Sequence, residues 1–222
     1  MAVILSDPWL YFIILFTVFL ATTLWMMALA RRFRQQHEDL GEVPFTLLDL
    51  QFPSSPAELV RLIQNMPEDA RRAVRAHLWV DFLFMAALYP LIALLCLVLG
   101  GKTGAGQYFF WLIAALQFFA WLFDILENAY LLKKLRRPSV QPGARPFRNY
   151  TFYVYAKFIL AFLGVAVTLP VIFYFWMSGS FLQETLPYVG MAVVETVVFI
   201  WIARRMKNAE KNNISPARSS TP

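Results

Sequence analysis

The sequence predicts an all-α fold: a polytopic membrane helix bundle of five transmembrane helices, with a short cytoplasmic amphipathic helix between the first two. Of its 222 residues, 59% are hydrophobic and 15% are charged, whereas soluble domains average roughly 45–50% and about 25%. The apolar residues fall into blocks near the roughly 20 residues that a helix needs to cross a bilayer. The basic residues are concentrated in alternating connections, as is typical of a multi-pass protein.

The predicted spans follow one another with breaks rich in glycine or proline. They are Trp9–Ala30, His77–Leu99, Tyr108–Leu132, Tyr150–Met177 and Thr185–Ala203. Glycines within 100–106, and prolines with a glycine within 138–146, separate the third span from its neighbours. We divide the chain into an N-terminal membrane anchor helix (1–30), a cytoplasmic helical segment (31–76), a four-helix membrane bundle (77–203) and a disordered basic tail (204–222).

The distribution of basic residues predicts the orientation. Apart from Lys102 and Lys157, all lysines and arginines lie in 31–76, in the connection after the third span and its flanks, or in the tail. The positive-inside rule then places the N-terminus outside and the C-terminus inside, in the inner or plasma membrane. A cleaved signal peptide would require basic residues before the apolar stretch. None precedes Trp9, so an uncleaved anchor fits better.

The cytoplasmic segment contains a clear helix signal. Ser55 is a candidate N-cap, Pro56 follows at the first helical position, and Glu58 stands three residues after the cap. Four apolar residues then recur at helical spacing and form one stripe: Leu59, Leu62, Ile63 and Met66. This helix either lies on the inner membrane surface or packs on the cytoplasmic end of the bundle. The basic inner face should attract anionic lipid headgroups.

Polar residues interrupt four of the predicted spans. They are Asp81 in the second span, Asp124, Glu127 and Asn128 in the third, Lys157 in the fourth and Glu195 in the fifth. At about 1.5 Å per residue, the ionisable ones lie roughly 6–12 Å below the cytoplasmic boundary. We therefore predict one polar cluster in the cytoplasmic third of the bundle, open to the cytoplasm. Its members are the candidate catalytic residues, with Glu195 the weakest.

A charge facing lipid at mid-helix costs about 2.5–3.5 kcal/mol, so these side chains should point towards one another or towards water. Four carboxyl groups face a single ammonium group, which predicts a protonated acid, with Glu195 the first choice, or a bound cation. Cys96 is the only cysteine, and His37 and His77 are the only histidines. No metal-ligand motif or cofactor-binding motif is recognised, and neither haem, nucleotide nor nucleic acid is indicated.

Four stretches carry a family resemblance: "SSPAELVRLIQNM", "VDFLFMAALYP", "FDILENAYLL" and "YVYAKFILAF". Together they resemble an uncharacterised family of prokaryotic integral membrane proteins. Its members carry a short cytoplasmic helix, an Asp…Tyr-Pro helix, an Asp-x-x-Glu-Asn helix and a following helix with an early lysine. The resemblance covers about residues 54–162 and implies a shared polar centre, without a substrate. Glu195 has no counterpart in it.

Three functional hypotheses remain open. The first is a binding or acid–base site for a lipid or amphiphile, in which Asp124 and Glu127 divide the acid and base roles and Lys157 stabilises an anion. The second is a proton or cation pathway, or a transporter component. The third is a structural or assembly protein whose polar cluster only holds the helices together. A homo-oligomer or a membrane protein partner is compatible with each.

Overall fold

The computed structural model describes residues 7–37, 41–140 and 143–214. This part of the chain contains seven α-helices and one two-stranded antiparallel sheet. The helices are α1 (Pro8–Ala30), α2 (Leu47–Gln51), α3 (Pro56–Gln64), α4 (Glu68–Lys102), α5 (Gln107–Arg136), α6 (Ala144–Met177) and α7 (Leu182–Ile214), and the strands are β1 (Arg34–His37) and β2 (Gly41–Pro44). A 3₁₀ turn at Gly104–Gly106 leads into α5.

Five helices, α1, α4, α5, α6 and α7, are long and apolar enough to cross a bilayer. The chain is therefore a multi-pass membrane protein, as its composition predicted. Most of these helices extend beyond the predicted spans. Helix α4 begins at Glu68 rather than at His77. In its first turns, Glu68 forms ion pairs with Arg71, Arg72 and Arg75 at 3.0–3.6 Å.

The C-terminal segment differs from the prediction of a disordered tail from residue 204. Helix α7 continues past Ala203 as far as Ile214. Its last turns are polar, and the intrahelical hydrogen bonds continue through them. The rest of the predicted tail, 215–222, lies outside the described residues.

The membrane helices form a three-helix core and a peripheral pair. α4 packs against α5 and α6, and α5 and α6 also pack against each other. α1 packs on the other side of α4, and α7 packs against α1. The predicted four-helix bundle of residues 77–203 is thus wrong in one respect, because α7 does not join the core. Its polar residues pair with the N-terminal region instead: Glu195 contacts Thr17, and the Tyr188 hydroxyl donates to Asp7.

The three core helices approach one another closely at Gly164 on α6. A Cβ atom at this position would lie 2.5 Å from Gln117 Nε2 on α5 and 2.6 Å from Ile92 Cγ2 on α4. Only glycine therefore permits this approach of the three backbones, as small residues do in many membrane helix interfaces. At this close approach, Gln117 Nε2 also donates a hydrogen bond to the Leu160 carbonyl of α6, at 3.0 Å.

The segment between α1 and α4 folds onto one end of this core, which we call the basic end because arginines and lysines surround it. We predicted a helical segment here, but it begins with the β1–β2 hairpin. Phe33 and Phe45 stack beneath the hairpin with ring centroids 5.3 Å apart. Gly41 adopts φ +70°, a conformation that glycine readily supplies. Short strands are difficult to predict when their alternation covers so few residues.

Helix α3 begins as its cap signal predicted, since the Glu58 N–H donates to Ser55 Oγ at 3.2 Å. Its apolar stripe is buried. Leu59, Leu62, Ile63 and Met66 join one core cluster with apolar residues of α4, α5 and α6. In the structure, this stripe therefore packs on the end of the bundle.

Candidate functional site

Three helices bring most of the predicted polar residues together at the basic end of the core. They are Asp81 from α4, Asp124, Glu127 and Asn128 from α5, and Lys157 from α6. Their relative exposure runs from 0% at Glu127 and Asn128 to 6% at Asp81. The predicted inward orientation is therefore observed for these five residues, which we call the polar cluster.

Lys157 is the centre of the polar cluster. Its Nζ lies 2.5 Å from Asp124 Oδ1 and 2.7 Å from Glu127 Oε2. Asp124 and Glu127 are three residues apart on α5 and so share one side of that helix. One ammonium group consequently bridges two carboxyl groups of the neighbouring helix. Charge-assisted hydrogen bonds of this kind are among the strongest in proteins.

The second oxygen of Asp124 also has a partner. The hydroxyl group of Tyr89, from α4, donates to Asp124 Oδ2 at 2.8 Å. Asp124 is thereby held from both sides, by a cation on α6 and by a phenol on α4. This arrangement fixes the carboxyl group in one orientation, which is what a positioned acid or base requires.

Asn128 connects the cluster to Asp81. Its Nδ2 donates to Asp81 Oδ2 at 2.7 Å across the α4–α5 interface. The Oδ1 atom of Asn128 is buried and has no hydrogen-bond partner within the described residues. A buried acceptor without a donor is uncommon in folded proteins, so the cluster can accept one further donor at this atom.

Gln51 completes the cluster and was not among the residues predicted from the sequence. This residue ends α2, is 6% exposed, and donates from Nε2 to Glu127 Oε1 at 2.9 Å. The hydroxyl of Tyr150 on α6 donates to the Leu50 carbonyl at 2.6 Å and fastens the same helix. The sequence signal for α2 is a capping pair at its start. The N–H and the hydroxyl group of Thr46 both donate to Asp49 Oδ2, three residues further along the chain.

This closure corrects the prediction that the polar centre is open to the cytoplasm. Helix α2 lies over the basic end of the cluster, and Leu50 beside Gln51 is 1% exposed. The spacing within the membrane spans contains no information about a loop that folds back over them. The observed cluster is therefore closed, because α2 covers it at the basic end.

Glu195 does not belong to the polar cluster, which corrects its inclusion in the predicted layer. It lies between α7 and α1, where the Thr17 hydroxyl donates to Glu195 Oε1 at 2.8 Å. The physical reason is the packing of α7 against α1 rather than against the core. The depth of Glu195 along its span was predicted from the sequence, but the helix that it faces was not.

The cluster combines three carboxyl groups with one ammonium group. If all were ionised, two negative charges would remain uncompensated in a closed, largely apolar site, which is energetically costly. The described residues offer no group of three or more His, Cys, Asp or Glu side chains arranged to hold a metal ion. Because three carboxyl groups meet one ammonium group, the arrangement can hold and exchange protons, and Lys157 can stabilise an anion.

Comparison of the chain with protein-family models, with curated proteins and with solved structures found no significant match. The resemblance to an uncharacterised prokaryotic membrane family therefore remains a prediction from its motifs.

Proposed function

We propose that this membrane protein binds the polar head of a lipid or other amphiphile at the polar cluster and carries out acid–base chemistry there. Asp124 and Glu127 would divide the acid and base roles, and Lys157 would stabilise a negative charge on the bound head. The observation that carries the proposal is the bridging of both carboxyl groups by Lys157 Nζ, at 2.5 and 2.7 Å, in a closed site.

Burial energetics support a functional over a purely structural cluster. Replacing a buried ion pair by well-packed apolar residues is often neutral or stabilising, so such a pair is weak evidence for a role in stability. Ionisable groups inside membrane spans are, by contrast, functional candidates by default. Here four of them meet, and the unpartnered Asn128 Oδ1 provides an acceptor for a ligand donor.

Access to the cluster would come by displacement of α2. Two hydrogen bonds, from Gln51 to Glu127 and from Tyr150 to Leu50, fasten this five-residue helix over the site. Phe52 at its end is 41% exposed and packs edge-on against Tyr155 of α6 at 5.4 Å. Such an exposed aromatic edge suits contact with lipid, so an amphiphile would enter between α2 and α6.

The location belongs to the same proposal. The positive-inside rule supports an N-out, C-in orientation in a plasma or inner membrane, with the basic end in the cytoplasm. The polar head would then come from the inner leaflet. Anionic headgroups would be attracted to this face by the arginines and lysines that surround it.

A second candidate function is proton or cation transfer, and the charge count supports it. Three carboxyl groups against one lysine require an exchangeable proton or a bound cation, with or without an amphiphile. Infrared titration of the carboxyl stretching band distinguishes this role. A band that responds to pH alone supports proton transfer, whereas a band that changes only when an amphiphile is added supports the first function.

The direct test is the identification of retained amphiphiles by native mass spectrometry after gentle extraction from the source membrane. Wild-type protein should retain an amphiphile class that Asp124→Asn loses, because the amide keeps the shape and removes the acid. Gln51→Ala should retain the same class but exchange it faster. If Asp124→Asn retains the wild-type set of amphiphiles, the proposed site is wrong. A large loss of thermal stability in Asp124→Asn, with no ligand difference, would indicate a structural cluster.

A further inference from the structure

A groove on the outer face of α4 and α5 lies at the basic end, on a different side of α5 from the polar cluster. It encloses a volume of about 680 Å³. The residues that line it include Trp79, Phe82, Leu132, Lys133, Arg136 and Arg137. Asn128 and Leu131, the neighbours of this face along α5, are instead buried in the core. The groove is therefore separate from the acid–base site.

The three cations of the groove lie at the C-terminal end of α5, with Arg137 as its capping residue. Arg136 and Arg137 follow Lys133 by three and four residues, so both are its neighbours on the surface of the helix end, and all three line the groove. All are exposed, and the described residues provide none of them with an ion-pair partner. The lining itself contains no acidic residue. Their positive charge is consequently available to a ligand.

The neighbouring Lys134 does not join the three cations of the groove, so not every basic residue at this end faces it. It occupies the same helical turn, but its Nζ donates to the Val140 carbonyl at 3.2 Å. The same ammonium group lies 5.8 Å from the centre of the Tyr130 ring. A topology signal requires only the number of positive charges near a span, and Lys134 contributes to that number as fully as Lys133 does.

The other wall of the groove is aromatic and apolar. Trp79 is 60% exposed, and its ring centroid lies 5.5 Å from that of Phe82. Tryptophan is enriched at the level of lipid headgroups because its ring is both apolar and able to donate a hydrogen bond. Leu132 continues this wall next to the cations. A groove with an aromatic side and a cationic rim matches a ligand that is apolar at one end and anionic at the other.

We infer that this groove binds an anionic phospholipid whose headgroup carries at least two negative charges, such as a phosphate monoester. The phosphate would contact Lys133, Arg136 and Arg137, and the glycerol and upper acyl region would lie along Trp79 and Leu132. Basic pockets between membrane helices bind multiply charged headgroups in this way. The inference is independent of the proposed acid–base function, because the two sites share no residue.

Lipid titration in detergent, followed by native mass spectrometry, tests the inference. The purified full-length protein is titrated with phosphatidic acid, with phosphatidylcholine of the same acyl chains and, separately, with inorganic phosphate. Wild-type protein should prefer phosphatidic acid. Lys133→Ala should weaken this binding about fivefold, the equivalent of one surface charge. Lys134→Ala removes the same charge at a neighbouring position and should leave the affinity within about twofold. Trp79→Ala should reduce the binding of phosphatidic acid.

Three results would overturn the inference. Equal affinity for phosphatidic acid and phosphatidylcholine would exclude a headgroup site. Equal losses in Lys133→Ala and Lys134→Ala would show that only the net charge of the basic end matters. Stabilisation by inorganic phosphate equal to that by phosphatidic acid would assign the groove to a soluble anion. Trp79 and Lys133 are exposed and Lys134 is half-buried at the surface, so a melting temperature of each lipid-free variant that matches wild type excludes misfolding.

Discussion

Two glutamates within the membrane helices, Glu127 on α5 and Glu195 on α7, have opposite surroundings. Glu127 is fully buried, and both of its oxygens are held, one by Lys157 and the other by Gln51. Glu195 is only half-buried between two peripheral helices, and the hydroxyl of Thr17 donates to it. The same residue type is thus part of an ionic network in the core and of a single hydrogen bond at the periphery.

The helices that carry these glutamates differ in the same way. In the most apolar stretch of α5, 33% of the residues are buried within the protein, whereas none are buried in the corresponding stretch of α7. A carboxyl group enters a membrane core at acceptable energy when a cation or donor compensates it. Among the described residues, Lys157 is the one buried lysine, and it already contacts two carboxyl groups. Of these two glutamates, the one that has a cation and an amide donor as partners is thus the one that lies in the core.

Removing the cation of the polar cluster should have the largest effect on the free energy of unfolding. Lys157→Ala leaves Asp124 and Glu127 buried without their cation and should cost about 3–5 kcal/mol of unfolding free energy. Equilibrium unfolding in detergent measures it. Lys133→Ala, an exposed lysine on α5, is the control and should change stability by less than about 0.5 kcal/mol.

The double variant Lys157→Ala with Asp124→Ala sharpens this result. It should recover part of the loss, because one of the two uncompensated carboxyl groups is also removed. Strictly additive losses would show that the two residues do not stabilise each other. A cost of Lys157→Ala below about 1 kcal/mol would contradict the central role of this lysine.

A matched pair of glycine substitutions compares the packing of the two regions. Gly164→Ala places a Cβ within 2.6 Å of atoms on both α4 and α5 and should cost about 1–3 kcal/mol through overpacking. At Gly190 on α7, the added Cβ meets no atom within 4 Å. Gly190→Ala should instead stabilise the helix by about 0.5–1 kcal/mol. Thermal unfolding of the two variants measures both, and an equal sign of the two effects would contradict the distinction.

Sequence reasoning identified the core side of this comparison well. Asp124 and Asn128, four residues apart, share one face of α5, and the early position of Lys157 on α6 places it at the same end of the bundle. These are consequences of helical geometry and of the cost of exposing charge to lipid, both of which act within a single span. The capped start of α3 at Ser55 was predictable for the same local reason.

The remaining features depend on which elements become neighbours, and local pattern does not determine that. Gln51 reaches Glu127 only because the segment before α3 folds back over the core, a contact between residues 76 positions apart. Glu195 was predicted to face the other ionisable residues, but its neighbour is α1 rather than α4 or α6. The β1–β2 hairpin consists of two four-residue strands, too short for alternation to distinguish them from a loop.

Replacing each of the two glutamates by glutamine should change the free energy of unfolding by less than Lys157→Ala does, and by different amounts at the two sites. Glu195→Gln preserves an acceptor for Thr17 and should change the unfolding free energy by less than about 1 kcal/mol, in line with average polar contacts between membrane helices. Glu127→Gln leaves the buried Lys157 with one carboxyl partner fewer and should cost more, about 2 kcal/mol. Unfolding in detergent at constant pH measures both variants. A larger loss at Glu195 would show that the α1–α7 pair, not the core, depends on its carboxyl group.

The smallest expected effect on stability is at Glu58, a solvated acid at the start of α3 and outside the membrane helices. Hydrogen bonds from Ser54 Oγ and N–H, at 2.5 and 2.7 Å, hold the pKa of Glu58 below its ordinary value of 4.5. A carboxyl group with a lowered pKa stabilises the fold above its ordinary pKa, and this stabilisation is lost as the pH falls through the lowered value. The stability advantage of wild type over Glu58→Gln should therefore be present at neutral pH and disappear in acid. In Ser54→Ala, an NMR titration should show the Glu58 pKa moved towards 4.5. A pH-independent difference between wild type and Glu58→Gln would show that the carboxylate charge contributes nothing to the start of α3.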